Sequence, residues 1–228
     1  MPSLDLQSTD LTTVNQHLKG RHAETAGANE WTIDNPMGTH SIGVGLEGAP
    51  RITINGHVGF YCGGMNDGAE IEIHGHAGPG VAENMMSGRV HVHGNASQSA
   101  GASGWGGLLQ IDGDASSRCG ISMKGIDIVV RGNVGHMSAF MAQSGNLVVC
   151  GDAGADLGDS IYEARLFVAG DVKGLGADCV EKEMRDEHIA ILLTLLEQTG
   201  VEEDPVRFRR FGSARKLYHF NVDHAADY

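Results

Sequence analysis

Between Arg51 and Glu183, short runs alternating apolar and polar residues return every nineteen residues, seven times, without insertion or deletion. Aligned from Arg51, Glu70, Arg89, Leu108, Asp127, Asn146 and Arg165, the runs read RITINGHVG, EIEIHGHAG, RVHVHGNAS, LLQIDGDAS, DIVVRGNVG, NLVVCGDAG and RLFVAGDVK. Positions two and four are aliphatic throughout, from Ile52 and Ile54 to Leu166 and Val168, while positions three and five are mostly polar. This alternation, rich in β-branched residues, predicts one half-buried strand per repeat. Position six is always glycine (Gly56, Gly75, Gly94, Gly113, Gly132, Gly151 and Gly170), read as a turn that needs φ above zero. Position seven is polar, position eight is Val or Ala, and position thirteen is Gly or Ala, which suggests a crowded inward corner.

A fixed period of this length means stacked units, each too small to bury its own apolar face. A four-stranded propeller blade needs about twice the period, and no leucine-rich consensus is present. The expected fold is therefore all-β: a single-stranded, parallel, right-handed β-helix of seven or more coils. At the ~4.8 Å strand spacing, seven coils would make a prism roughly 30 to 35 Å long.

The flanks break the period. Residues 1–50 read as a capping segment, because a parallel stack leaves unpaired strand edges that invite aggregation unless covered. Thr9 or Asp10 is placed to cap a short helix carrying Leu11, Val14 and Leu18, with Gly20 ending it. Loop then surrounds one strand, and Trp31 is expected to pack on the first coil. Residues 51–183 form the β-helix, and residues 184–228 form a C-terminal helix and tail. Met184, Ile189, Leu192, Leu193 and Leu196 recur at helical spacing before Gly200, predicting an amphipathic helix over about 180–199 that closes the prism's end or lies along its flank. The tail holds Arg207, Arg209, Arg210, Arg215 and Lys216 among aromatics, a composition suited either to a protein interface or to a solvated tail.

The 228 residues, 34 of them glycine, carry sixteen basic and twenty-nine acidic side chains for a net charge of -13. That charge disfavours nucleic acid and anionic membranes as partners. With no apolar run of membrane-spanning length and no signal-peptide pattern at the N-terminus, a cytoplasmic location is expected. Cys62 and Cys119 share position twelve but lie three coils apart, about 14 Å, beyond disulfide reach. All four cysteines read as buried or partly buried thiols.

Histidines are the best chemical candidates. His74 and His93 occupy position five of adjacent coils, about 5 Å apart when stacked, with His91 on the same face, a grouping able to bind zinc. The ladder continues as Asn55, Asp112, Arg131, Cys150 and Ala169, however, which reads as a solvated strip. Acidic residues, including Glu72, Asp112 and Asp127, do not converge in the repeat register. The chain shows neither G-x-S-x-G nor a phosphate-binding G-x-x-x-x-G-K-[ST]. No catalytic, cofactor-binding or metal-binding set is expected in it.

The phrases GHVGFYCGGMNDGA, VAENMMSG, ASQSAGASGWGGLL, SRCGISMKG, GHMSAFMAQSG and GDAGADLGDSIYEA together resemble the GXGXG domain, the C-terminal β-helix of the large subunit of glutamate synthase. Standing on a short chain with a closing FRRFGSARKLYHF, this domain most resembles the middle subunit of glutamate-synthase-like complexes, above all of N-methylglutamate synthase. That resemblance implies a hetero-oligomer in which the β-helix holds a class II amidotransferase-like subunit against an FMN-binding, iron-sulfur subunit. The implied reaction of the complex converts glutamate and methylamine to N-methylglutamate and ammonia. This chain departs from the catalytic members: it has no cysteine after Met1, no cluster-binding cysteine spacing and no flavin-phosphate motif. FMN and iron-sulfur chemistry are thus expected in the partners.

Three other readings stay open. One is a subunit of another glutamate-synthase-type amidotransferase-flavoenzyme assembly, one is the β-helix subunit of formylmethanofuran dehydrogenase, and the third is an independent β-helix enzyme, which would need a carboxylate cluster on one face. In a complex, Met65, Asn84, Met85, Met86, Ser103, Met123 and Met141 on the glycine-rich loops are candidates to line an amine passage or an interface, with Arg210 and Arg215 as further interface candidates.

Overall fold

The computed structural model of this chain describes residues 2–21 and 27–215. Strands β1 (Ser3–Asp5), β2 (Glu30–Asp34), β3 (Arg51–Asn55), β4 (Asp67–Ile73), β5 (Ser87–Val92), β6 (Leu108–Ile111), β7 (Lys124–Val130), β8 (Ser144–Val149) and β9 (Arg165–Val168) pair in sequence order, all parallel. The register follows the repeat, so Ile52 pairs Ile71, Ile71 pairs Val90, and the match runs on to Leu147 with Leu166. Position eight builds a second parallel ladder from Val58 through Ala77, Ala96, Ala115, Val134 and Ala153 to Val172. The fold is a parallel β-solenoid.

Its interior is filled by positions two, four, eight, twelve and sixteen. Ile71, Ile73, Val81 and Met85 are fully buried in one coil, and Ile128, Val130, Ala142 and Ser138 in another. This filling follows from side chains that stack on their own equivalents one strand spacing away. Cys62 and Cys119 lie in this interior as free thiols, pushed by burial up to about 12. Burial likewise raises Cys150 and Cys179 to about 11, which leaves all four inert at neutral pH.

The turn chemistry differs from the sequence expectation. Of the position-six glycines, only Gly56 has a left-handed φ, 139°. The other six are glycine because the coil below is too close: a Cβ on Gly75 would stand 2.5 Å from the Gly56 carbonyl carbon, and one on Gly132 would stand 2.3 Å from Asp114 Oδ1. Left-handed backbone falls instead at positions eleven, thirteen and fifteen, as at Tyr61, Gly63 and Met65 or Ser99, Gly101 and Ser103. Alternate N–H groups there point to opposite neighbours: Met65 donates up to Glu83, while Ala82 donates down to Cys62. The left-handed residues are thereby hydrogen-bonded in both directions along the stack, which offsets their conformational cost.

The stack extends upstream of the seven repeats. Trp31, 1% exposed, pairs with Ile52 in β2, and β1 adds a further strand beyond it. Helix α1 (Leu11–Leu18), capped by Asp10, buries Val14 and Leu18, and Gly20 follows it in a left-handed conformation. Asn15 fixes this helix to the stack, donating to the Ser41 carbonyl at 3.0 Å and accepting from the Gly43 N–H at 2.8 Å.

At the other end β10 (Cys179–Lys182) leads into α2 (Asp186–Thr199), and β11 (Arg209–Ser213) returns between β9 and β10, antiparallel to both. Helix α2 lies along the flank. Its Leu192, Leu195 and Leu196 pack with Phe208 on Val129, Val148 and Phe167, the outward position-three residues of the last three repeats. Leu193, expected on the apolar face, is 47% exposed, and Leu195 takes that role. Phe208 and Phe211 are buried within the chain rather than offered outward, and the tail from Lys216 lies outside the described residues.

Candidate functional site

Position three is apolar only where α2 covers it. Upstream it reads Thr53, Glu72, His91 and Gln110, and the sheet face there carries a polar cluster beside the end of α2. Glu72 and His91 are direct partners on β4 and β5, and His93 follows on the same face of the coil. Asp112 stands just beyond β6 at position five of the next coil.

These four side chains form a closed set. Glu72 Oε2 is 3.0 Å from His91 Nδ1 and 2.7 Å from His93 Nε2. Asp112 Oδ2 is 2.9 Å from His91 Nε2 and 3.3 Å from His93 Nδ1. The expectation that Glu72 and Asp112 do not converge is therefore wrong, because it followed single ladders and the cluster straddles positions three and five. Asp127 does stand apart, bonded to Asn146 at 2.7 Å beside α2, where burial raises its pKa against that hydrogen bond.

Burial opposes ionisation of Asp112, but hydrogen bonds from Gln110 and His91 and the charges of His91 and Arg131 outweigh it and hold its pKa below the ordinary value. Gln110 Nε2 donates to Asp112 Oδ1 at 3.0 Å and to the Thr199 carbonyl at 3.1 Å. Arg89 binds Gln110 Oε1 at 2.6 Å and the Gln198 carbonyl at 3.0 Å. The C-terminal turn of α2 is thus clamped beside the cluster, its free carbonyls answered by cationic side chains as a helix C-terminus favours.

His74 stacks on His93 at 4.4 Å as the ladder predicts, yet it lies outside this set. The position-five strip is not merely solvated, since His93 and Asp112 are tied into the cluster. Position seven is structural: Nδ1 of His57 accepts the His76 N–H at 2.9 Å, Nδ1 of His76 accepts the Asn95 N–H at 2.8 Å, and Asn95, Asp114, Asn133 and Asp152 repeat the bond upward. Among the described residues, Glu72, His91 and His93 each bring a ligand atom within 4.8 Å of the others.

The loop residues proposed for an interface divide. Met85 and Met123 are fully buried in the core and so cannot line an outer surface. Met65, Met86 and Met141 are exposed, and Asn84 and Ser103 half-buried. Trp105 and Tyr162, which sequence reasoning missed, stand 61% and 49% exposed at position seventeen, on the same corner as Met86. Lys124, at this position in the coil after Trp105, lies 4.8 Å over the Trp105 ring. Arg210 donates to the Glu183 carbonyl and Arg215 pairs with Asp178, so both are engaged within the chain.

No family model matches the chain. Over its whole length it is similar to Protein GlxC of Rhizobium meliloti (strain 1021), at 59% identity across 231 aligned residues covering 100% of both chains.

Proposed function

We propose, from the premise that this chain belongs to the family of Protein GlxC, that it is the non-catalytic β-solenoid subunit of a glutamate-synthase-like complex, N-methylglutamate synthase above all. One observation carries this reading: Met65, Met86, Trp105, Met141 and Tyr162 stand exposed at positions fifteen and seventeen of five of the seven repeats, along one corner of the prism. Aromatic and methionine side chains are the residues favoured at protein interfaces, and isolated chains rarely leave such a row in water. The interior supports it too, since the inward positions two and four of the seven repeats are filled by buried aliphatic side chains.

In this reading the prism separates and aligns a class II amidotransferase-like subunit and an FMN-binding, iron-sulfur subunit in the cytoplasm. The partners hold the cofactors. The complex converts glutamate and methylamine to N-methylglutamate and ammonia. A small amine moving between their sites would travel along the exposed corner, past Met65, Met86, Ser103 and Met141, walled by the partners, since the core is closed. No described helix is long and apolar enough to cross a membrane, which is consistent with such an assembly.

Purification of the native complex through this chain tests the proposal. Flavin and iron-sulfur absorbance should copurify in a partner, with methylamine-dependent N-methylglutamate formation, while the chain alone stays colourless and inactive. Partners carrying molybdenum or tungsten would move the assignment to the formylmethanofuran class, and stoichiometric FMN on the isolated chain would overturn it.

A further inference from the structure

Counting protons in the Glu72, His91, His93 and Asp112 cluster exposes a deficit. Four ring nitrogens face two carboxylate oxygens at 2.7 to 3.3 Å. Two neutral imidazoles own two N–H groups between them, so in every neutral tautomer two ring lone pairs face carboxylate oxygen with nothing between. Such a cluster is completed either by two extra protons or by a cation.

The two ends of the cluster are not equivalent. Asp112 has its other oxygen occupied by Gln110, with Arg131 Nη1 3.6 Å away, and a cation would be repelled there. Its Oδ2, 2.9 Å from His91 Nε2 and 3.3 Å from His93 Nδ1, is left to accept an N–H from each ring. That assignment turns the lone pairs of His91 Nδ1 and His93 Nε2 toward Glu72 Oε2. Three acceptors then converge on one point at the end lacking a guanidinium.

We propose that His91 Nδ1, His93 Nε2 and Glu72 Oε2 are a three-ligand site for a divalent transition cation of the zinc class, with Asp112 as the shared outer acceptor that orients both rings. Two histidines and a carboxylate, each histidine tied back to an acidic group, are what such an ion selects. The rings are close, 3.9 Å between centroids, because His91 lies in β5 and His93 directly after its end. Zinc bonds of ~2.0–2.1 Å require the three donors to spread by a few tenths of an ångström. The Glu72 side chain, 41% exposed, can supply that movement. A shallow depression of about 380 Å³, lined by His74, Gly75, His76, His93 and Gly94, opens beside His93. His57 and His76 do not compete, since each Nδ1 is already spent on a backbone N–H.

The test uses the untagged full-length chain, stripped with a chelator and titrated with Co²⁺ and then Zn²⁺. One equivalent of Co²⁺ should develop visible ligand-field bands, Zn²⁺ should displace it, and the melting temperature should rise with either ion. Glu72→Gln and His93→Asn should each abolish stoichiometric uptake, Asp112→Asn should weaken affinity roughly 10- to 100-fold, and His74→Asn should leave it unchanged. Melting of each metal-free variant separates lost ligation from lost fold. Ring nitrogen chemical shifts of the stripped chain provide an independent reading. The proposal is overturned if the wild type takes up no ion, if uptake survives Glu72→Gln and His93→Asn, or if both rings are doubly protonated near neutral pH and Zn²⁺ leaves them so.

Discussion

Arg131 reaches Gly200 across the flank of the solenoid, donating to its carbonyl at 3.2 Å, while its other terminal nitrogen stands 3.6 Å from Asp112. Gly200 is the left-handed residue that ends α2. One guanidinium therefore links the helix that covers the late coils to the polar cluster that marks the early ones. The side chain is 43% exposed, so Arg131→Met should cost under about 1 kcal/mol of global stability. Amide exchange of the last turn of α2 should nonetheless speed up, and an unchanged rate there would count against the link.

Close stacking, rather than left-handed backbone, is the reason for glycine at position six. Gly113→Ala would place a methyl 2.0 Å from Asn95 Oδ1 and 2.9 Å from the Gly94 carbonyl oxygen. A loss of about 1 to 3 kcal/mol is expected in denaturant unfolding. Gly174, whose added Cβ would meet nothing within 4 Å, should accept alanine without loss. Equal midpoints for the two variants would contradict the stacking account.

Helix α2 is held by the apolar half of the position-three ladder. Phe167 is fully buried under it, and Phe167→Ala should destabilise by about 3–5 kcal/mol. Hydrogen exchange should show α2 losing protection before the central coils do.

The start of α2 should respond to pH. Burial first, then the charge of Arg210, pushes the His188 imidazole below the ordinary 6.5, with Arg165 and Arg185 acting in the same sense and Glu187 against it. Its Nδ1 accepts the Arg185 N–H at 3.2 Å, a bond that a protonated ring cannot make. Because the unfolded chain binds that proton more readily, the contribution of the neutral ring is fully present above 6.5 and lost as pH falls through the lower folded value. Asp112, also held low, loses its contribution only below 3.8, in a separate window. His188→Gln should flatten the fall in melting temperature between neutral and mildly acidic pH, and a parallel curve would refute the assignment.

The exposed corner can be separated from the fold. Trp105→Glu should shift stability by no more than about 0.5 kcal/mol, because the ring is 61% exposed. Under the proposed function it should nevertheless release a partner subunit, as read by size-exclusion chromatography of the complex.

The strand register was legible because aliphatic residues at positions two and four leave one way to stack, and Ile52, Ile71 and Val90 pair accordingly. The turns were less so. Tyr61, Ser99, Arg118 and Asp156 share a left-handed φ without sharing a side chain, since the stack's hydrogen bonds impose that conformation. The flank position of α2 was written in the change from Glu72, His91 and Gln110 to Val129, Val148 and Phe167, a signal visible only when position three is followed alone. The polar cluster required the opposite treatment, two ladders considered together, and so escaped a search along position five.

Constant register has a consequence for size. Coils whose aliphatic positions pair nineteen residues apart make length a whole-number quantity, and each added set of nineteen residues would lengthen the prism by one strand spacing, ~4.8 Å. Under the proposed function, two bodies bound at its opposite ends would be kept at a distance counted in repeats, while the outline each one meets stays the same. The chain is a ruler graduated by its own sequence, and a duplication or deletion of one repeat changes the reading without redrawing the scale.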